Sequence, residues 1–163
     1  MNRDIVLDLD GVLNSEAYVR AAHFRRAVRT PAPGPDFIDP VRVARLQQIV
    51  DRTGERVVIS SNWTHWPGCN HGAISGWLRW LGFTGEVIGQ TPRKLSNTHR
   101  GNEITWWLES HPCADFVVID DLMYGDYGPE WVSPHESRLV LTPDGLEPEH
   151  VEQAVRMLLG DAQ

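Results

Sequence analysis

A chain of 163 residues with 41% hydrophobic and 23% charged residues has the size and composition of one globular domain with a single core. Its formal net charge of -7 argues against a protein that wraps nucleic acid by bulk electrostatics, while leaving room for local basic patches. No apolar run is long enough to cross a bilayer, no signal peptide is evident, and Cys69 and Cys113 are too few for a disulfide framework. The expectation is a cytoplasmic protein that needs neither a membrane nor an obligate protein partner.

In chain order, Ile5-Val6-Leu7 leads straight into Asp8-Leu9-Asp10-Gly11-Val12-Leu13-Asn14. A short apolar run ended by a glycine turn reads as a buried strand with two carboxylates at its carboxyl end, and residues two apart on a strand share a side. Two anions that close resist ionisation unless a cation or backbone N–H groups share the site. The pair therefore implies a hard divalent metal, which prefers oxygen ligands.

Residues 16–28 read as a helix with Tyr18, Ala21 and Ala22 on one side, and the proline- and glycine-rich stretch 30–36 as a loop. Residues 15–39 thus form a small flap inserted within a single domain spanning 1–163. Asp39-Pro40 caps a helix with the apolar stripe Val43, Leu46, Ile49 and Val50, closed by Gly54. Arg56-Val57-Val58-Ile59-Ser60 is a second buried strand, bringing Ser60, Ser61 and Asn62 to the rim where Asp8 lies.

Residues 63–72 read as a loop in which Trp63 and Trp66 are candidates for stacking on a base, while His65, Cys69 and His71 fit no standard zinc spacing. The tryptophans at helical positions are expected in the core. A short helix at 74–81, a short strand at 86–89, a polar stretch at 91–99 and a helix at 101–110 follow. Phe116-Val117-Val118-Ile119-Asp120-Asp121 then repeats the pattern of the first strand: an apolar run that ends in two acids. Leu139-Val140-Leu141 is the last strand and residues 148–159 the last helix. Strands alternating with helices predict an α/β protein of three layers, a doubly wound, mostly parallel sheet. Acids beyond the carboxyl ends of its strands stand where such sheets place their ligands.

The first motif, Asp8-Leu9-Asp10-Gly11-Val12-Leu13, and the acidic pair Asp120-Asp121 resemble the first and fourth motifs of the haloacid dehalogenase (HAD) superfamily of phosphoryl-transfer enzymes. The resemblance runs from Ile5 to about Leu159. Arg100-Gly101-Asn102-Glu103-Ile104, Trp107-Leu108, and Leu139-Val140-Leu141-Thr142 followed by Gly145-Leu146 are similar to the small HAD domains of phage and bacterial proteins, some of them RNA-repair proteins.

The resemblance implies a HAD-like, Rossmannoid fold with the flap in place of a cap domain. It implies that Asp8 is the nucleophile that forms an aspartyl-phosphate, and Asp10 the general acid and base. It implies Mg²⁺ held by Asp8, by Asp10 through its backbone carbonyl, and by Asp121, with Asp120 orienting the shell and Asp126 a second option. Ser61 or Ser60, with Asn62, would contact the phosphoryl oxygens, and Arg100 or Lys94 would offset their charge. Asn14 is expected as a hydrogen-bonder that closes the loop. Because dehalogenases of the superfamily lack the second aspartate, Asp10 favours a phosphatase.

The expected function is Mg²⁺-dependent phosphomonoester hydrolysis of a phosphorylated substrate, a DNA or RNA end or a nucleotide. The alternatives are a phosphatase of small metabolites and a catalytically weak binding or regulatory domain.

Overall fold

The computed structural model describes residues 2–26, 32–93, 98–122 and 127–160, with the backbone alone for 23–26. Lys94 and Asp126 lie outside the described residues. The elements are β1 (Arg3–Leu7), α1 (Glu16–Arg26), α2 (Pro40–Thr53), β2 (Arg56–Ile59), α3 (His71–Trp80), β3 (Val87–Gln90), α4 (Arg100–Ser110), β4 (Asp115–Asp120), β5 (Leu139–Leu141) and α5 (Pro148–Leu159). Short 3₁₀ turns at Asn62–His65 and Pro129–Val132 also matter for the site.

The five strands form one parallel sheet in the order β3-β2-β1-β4-β5. Strand β1 is central, with Leu7 paired to Ile59 on one side and to Ile119 on the other. In-register parallel strands end together, so the residues that follow these three, Asp8, Ser60 and Asp120, fall in one row at the carboxyl rim. The topology thus turns three stretches remote in sequence into neighbours.

Alternation along the strands divides their side chains between two cores. Ile5, Leu7, Val57, Ile59, Val117 and Ile119 pack with the apolar stripes of α2, α3 and α5. Val6 and Val118 face the other way, against Ile104 of α4, Leu122 and Val132. With both faces covered, the strands carry continuous apolar runs, as parallel sheets do.

Helix α2 is bounded by its own residues. Asp39 accepts a hydrogen bond from Val41 N at 2.9 Å, Pro40 occupies the first turn, and Gly54 ends the helix in the left-handed region at φ 71°. Helix α3 begins at His71, earlier than its apolar periodicity predicts, because Asn70 caps it by accepting from Ala73 N at 3.0 Å. Strand β3 extends to Gln90. In α1 the inward residues are Val19 and Ala22, whereas Ala21 is exposed. Ala22, Phe37 and Ile38 of the 15–39 stretch join the main core.

The helical tryptophans divide. Trp107 is buried and Trp77 packs against the core, but Trp80 is 74% exposed, on the outer face of a helix that turns Ile74 and Leu78 inward. Among the described residues no helix is long and apolar enough to cross a membrane.

Candidate active site

The chain leaving β1 makes a tight loop in which Val12 N and Leu13 N both donate to Leu9 O. Gly11 adopts φ +64°, and a Cβ placed on it would stand 1.9 Å from Asp121 Oδ2. Glycine is therefore what lets the β1 loop and the acidic end of β4 approach each other. Asn14 closes the loop, as its position suggested: its Oδ1 accepts from Gly11 N at 2.8 Å, and its Nδ2 donates to Asp10 Oδ1 at 3.1 Å and to Phe37 O at 2.9 Å. From the far side, Gly145 N donates to Gly11 O at 2.7 Å and Leu146 N to Val12 O at 2.8 Å. The loop is thus tied both to Phe37 in the 15–39 stretch and to the chain after β5.

Asp8 is 4% exposed, and its Oδ1 accepts from Leu9 N at 2.8 Å. Asp120 and Asp121 are each 1% exposed, and Asp120 Oδ1 accepts from Leu122 N at 2.7 Å. Carboxylate oxygens of Asp8, Asp120 and Asp121 all lie within 4.8 Å of one another. Arg100, buried at the start of α4, brings Nη1 to 3.6 Å from Asp8 Oδ1 and 3.8 Å from Asp120 Oδ2. Among the described residues, the Arg100 guanidinium thus stands beside three buried carboxylates.

That imbalance shows in the acidities. Burial pushes Asp8 well above the usual carboxylate range; Arg100 opposes the shift, while Asp120, Asp121 and Asp10 add to it. Burial also raises Asp120, against the pull of Arg100 and of the Leu122 N–H. Burial works against the Arg100 charge, but Asp8, Asp120, Glu103 and Asp121 together outweigh it and hold the guanidinium protonated. The donor set fits a hard divalent ion: three carboxylates with oxygen donors close together and more negative charge than Arg100 balances.

Asp10 lies at the edge of this cluster, with both its oxygens engaged. Asn14 donates to Oδ1, and Trp63 Nε1 donates to Oδ2 at 2.7 Å. Trp63 is 4% exposed. It is therefore a holder of Asp10 and not the open stacking surface that its loop position suggested. Nothing in the sequence pattern announces this contact, because loop composition does not say where an indole N–H will point.

The two serines take different surroundings. Ser60, in the row of Asp8, has its Oγ 3.2 Å from Thr91 Oγ1 and 3.4 Å from Arg100 Nη1. The Ser61 hydroxyl oxygen caps the following turn, accepting from Trp63 N at 3.3 Å. Asn62 is exposed and lines a cleft that Arg100 also lines.

Residues the sequence did not single out also line this cleft: Arg93, Tyr127 and Trp131. His65, Cys69 and His71 do not gather. Cys69 Sγ is 3.9 Å from Pro33 O and His71 N donates to Gln90 Oε1 at 2.8 Å. Among the described residues, Asp8, Asp120 and Asp121 are the one group of three or more acids, histidines or cysteines placed to share an ion.

Residues 5–151 match the family described as the HAD domain in Swiss Army Knife RNA repair proteins. No curated protein and no solved structure matches the chain. The family match takes in both acidic motifs, the serines after β2 and the start of α4, and with that coverage the chain belongs to this family of small HAD domains.

Proposed function

We propose that the protein is a Mg²⁺-dependent phosphomonoesterase that works through Asp8 on phosphorylated nucleic-acid ends or nucleotides. Membership of the HAD family points to a hydrolase, and the family's description, which names RNA repair, supports the substrate class. The observation that carries the reading is the convergence of Asp8, Asp120 and Asp121 within 4.8 Å beside one buried arginine.

Asp8 attacks the phosphorus through a carboxylate oxygen, and the bond to the leaving alkoxide breaks. Asp10 delivers a proton to that alkoxide. Held at both oxygens by Trp63 and Asn14, it does not have to be oriented during the reaction. Asp10 then takes a proton from water, which attacks the phosphorus of the aspartyl-phosphate, freeing Asp8 and inorganic phosphate. Arg100 offsets charge beside Asp8, and Ser60, Ser61 and Asn62 are the candidates to hold phosphoryl oxygens. Asp8, Asp120, Asp121 and the backbone carbonyl of Asp10 would hold Mg²⁺, which when bound supplies the positive charge that keeps Asp8 ionised.

The test is phosphate release from a phosphorylated oligonucleotide and from ribose 5-phosphate, with Mg²⁺ and with a chelator. Release from the oligonucleotide should require both the ion and Asp8. Full turnover after chelation, or by Asp8→Asn, overturns the mechanism; turnover of the sugar phosphate alone overturns the substrate class.

A further inference from the structure

Arg100 belongs to two places at once. Its guanidinium meets Asp8 and Asp120, and it also lines a cleft of about 570 Å³, a volume typical of small-ligand sites. Two turns distant in sequence build the walls. The turn after β2 contributes His65 and Trp66, and the segment at the Pro129–Val132 turn contributes Tyr127 and Trp131.

The second wall is a built aromatic array. Tyr127 and Trp131 stack with ring centroids 4.3 Å apart and planes 12° from parallel, and His99 packs against Trp131 at 4.8 Å. Helix α4 backs this segment closely, because Gly101 has no side chain: a Cβ there would stand 1.9 Å from Ser133 O. Trp66 and Tyr127 are 41% and 44% exposed. Scattered exposed aromatics need no explanation. These line one cleft that opens on the arginine beside the nucleophile.

The polar groups of the cleft suit a heteroaromatic edge. Arg93 and Arg100 supply positive charge, and Glu103 supplies acceptors. Desolvation, reinforced by Arg93 and Arg100, holds His65 below its usual range, so its neutral ring offers one donor and one acceptor. A sugar phosphate has no flat face for these rings, and a phenol ring has no ring nitrogens to meet these polar groups.

We propose that the cleft is a nucleobase site, in which the base of the terminal nucleotide stacks against Trp66 and the Tyr127–Trp131 wall while its phosphate lies at Asp8. This rests on the phosphatase reading above and adds where the substrate is recognised. Stacking accepts any base, so the site selects nucleotides over other phosphate esters with little preference among the four bases.

The experiment is calorimetric titration of Asp8→Asn protein with 3′- and 5′-nucleoside monophosphates, ribose 5-phosphate and phosphotyrosine. At least one nucleotide series should bind on the order of tenfold more tightly than ribose 5-phosphate, the size of effect expected from stacking one base. Adding Trp66→Ala should bring that ratio towards one, and Trp66→Phe should keep most of it. Equal affinity for nucleotide and sugar phosphate, a ratio unmoved by both Trp66→Ala and Tyr127→Ala, or tighter binding of phosphotyrosine overturns the proposal. The ratio is read without turnover. A nucleotide preference in a protein whose wild type releases no phosphate therefore supports the cleft and overturns the catalytic reading instead.

Discussion

Strand β1 carries a buried aspartate near its start and is followed at once by another, and the two sit in opposite surroundings. Asp4 is fully buried and meets one partner, Arg56, whose Nη2 and Nε lie 2.7 and 3.2 Å from its Oδ1. Asp8, a few residues on, has Arg100 at 3.6 Å but shares it with Asp120, and Asp121 stands within the same cluster. The first arrangement balances its charge and ties β1 to β2. In the second, Arg100 is shared between Asp8 and Asp120, and buried negative charge that Arg100 does not offset is costly unless a further cation joins it. What separates the two aspartates is the number of acids that share the neighbouring arginine, not residue type or burial.

The largest expected contrast is in turnover. Asp8→Asn should lower phosphate release on the order of 10³-fold or more, as loss of a nucleophile does, while raising the melting temperature of the metal-free protein by removing one repelling charge. Kinetics and thermal melts on one preparation check both; a lowered melting temperature breaks the comparison.

Next comes the ion. Mg²⁺ at a hundred times its dissociation constant should stabilise the wild type by about 2.7 kcal/mol, and Asp121→Asn should lose most of that gain, as read by melts with and without the ion. Asp4→Asn should cost about 1.5–3 kcal/mol of stability, the worth of a charged hydrogen bond, with or without Mg²⁺. Denaturant titration measures it, and an Mg²⁺-dependent loss would put Asp4 in the wrong class. The smallest effect sharpens the role of Asp10. Trp63→Phe removes one hydrogen bond of about 1 kcal/mol and should lower kcat several-fold with little change in KM.

Much of this was legible because apolar runs ending in acids are a local signal. Ile5-Val6-Leu7 before Asp8 and Val117-Val118-Ile119 before Asp120 announce two buried strands, and in a parallel sheet their carboxyl ends must share a rim. Apolar periodicity misses the start of α3, because Asn70 caps it through a side-chain hydrogen bond that the periodicity does not register. Loop composition makes Trp63 a candidate for base stacking and is silent on its partner, Asp10, which lies on a remote loop. The distinction between Ser60 and Ser61 was out of reach for another reason: a one-residue slip in a strand exchanges its faces. The cleft was the least readable part, since Trp66 and Trp131 line one space only after two turns from different halves of the chain have come together near Arg100 and Glu103.

Leu7 pairs with Ile119, and this join has a consequence for biosynthesis. While the polypeptide emerges from the ribosome, the Asp8 segment is made long before the acids that complete its cluster, and it can only wait for them. Parallel pairing over such a span forms late, because the entropy of closing the intervening chain must be met first. A half-made or clipped copy therefore has no cluster with which to capture an ion. An ion held by all three acids would therefore report that the chain has been made at least as far as Asp121 and that β1 and β4 have paired.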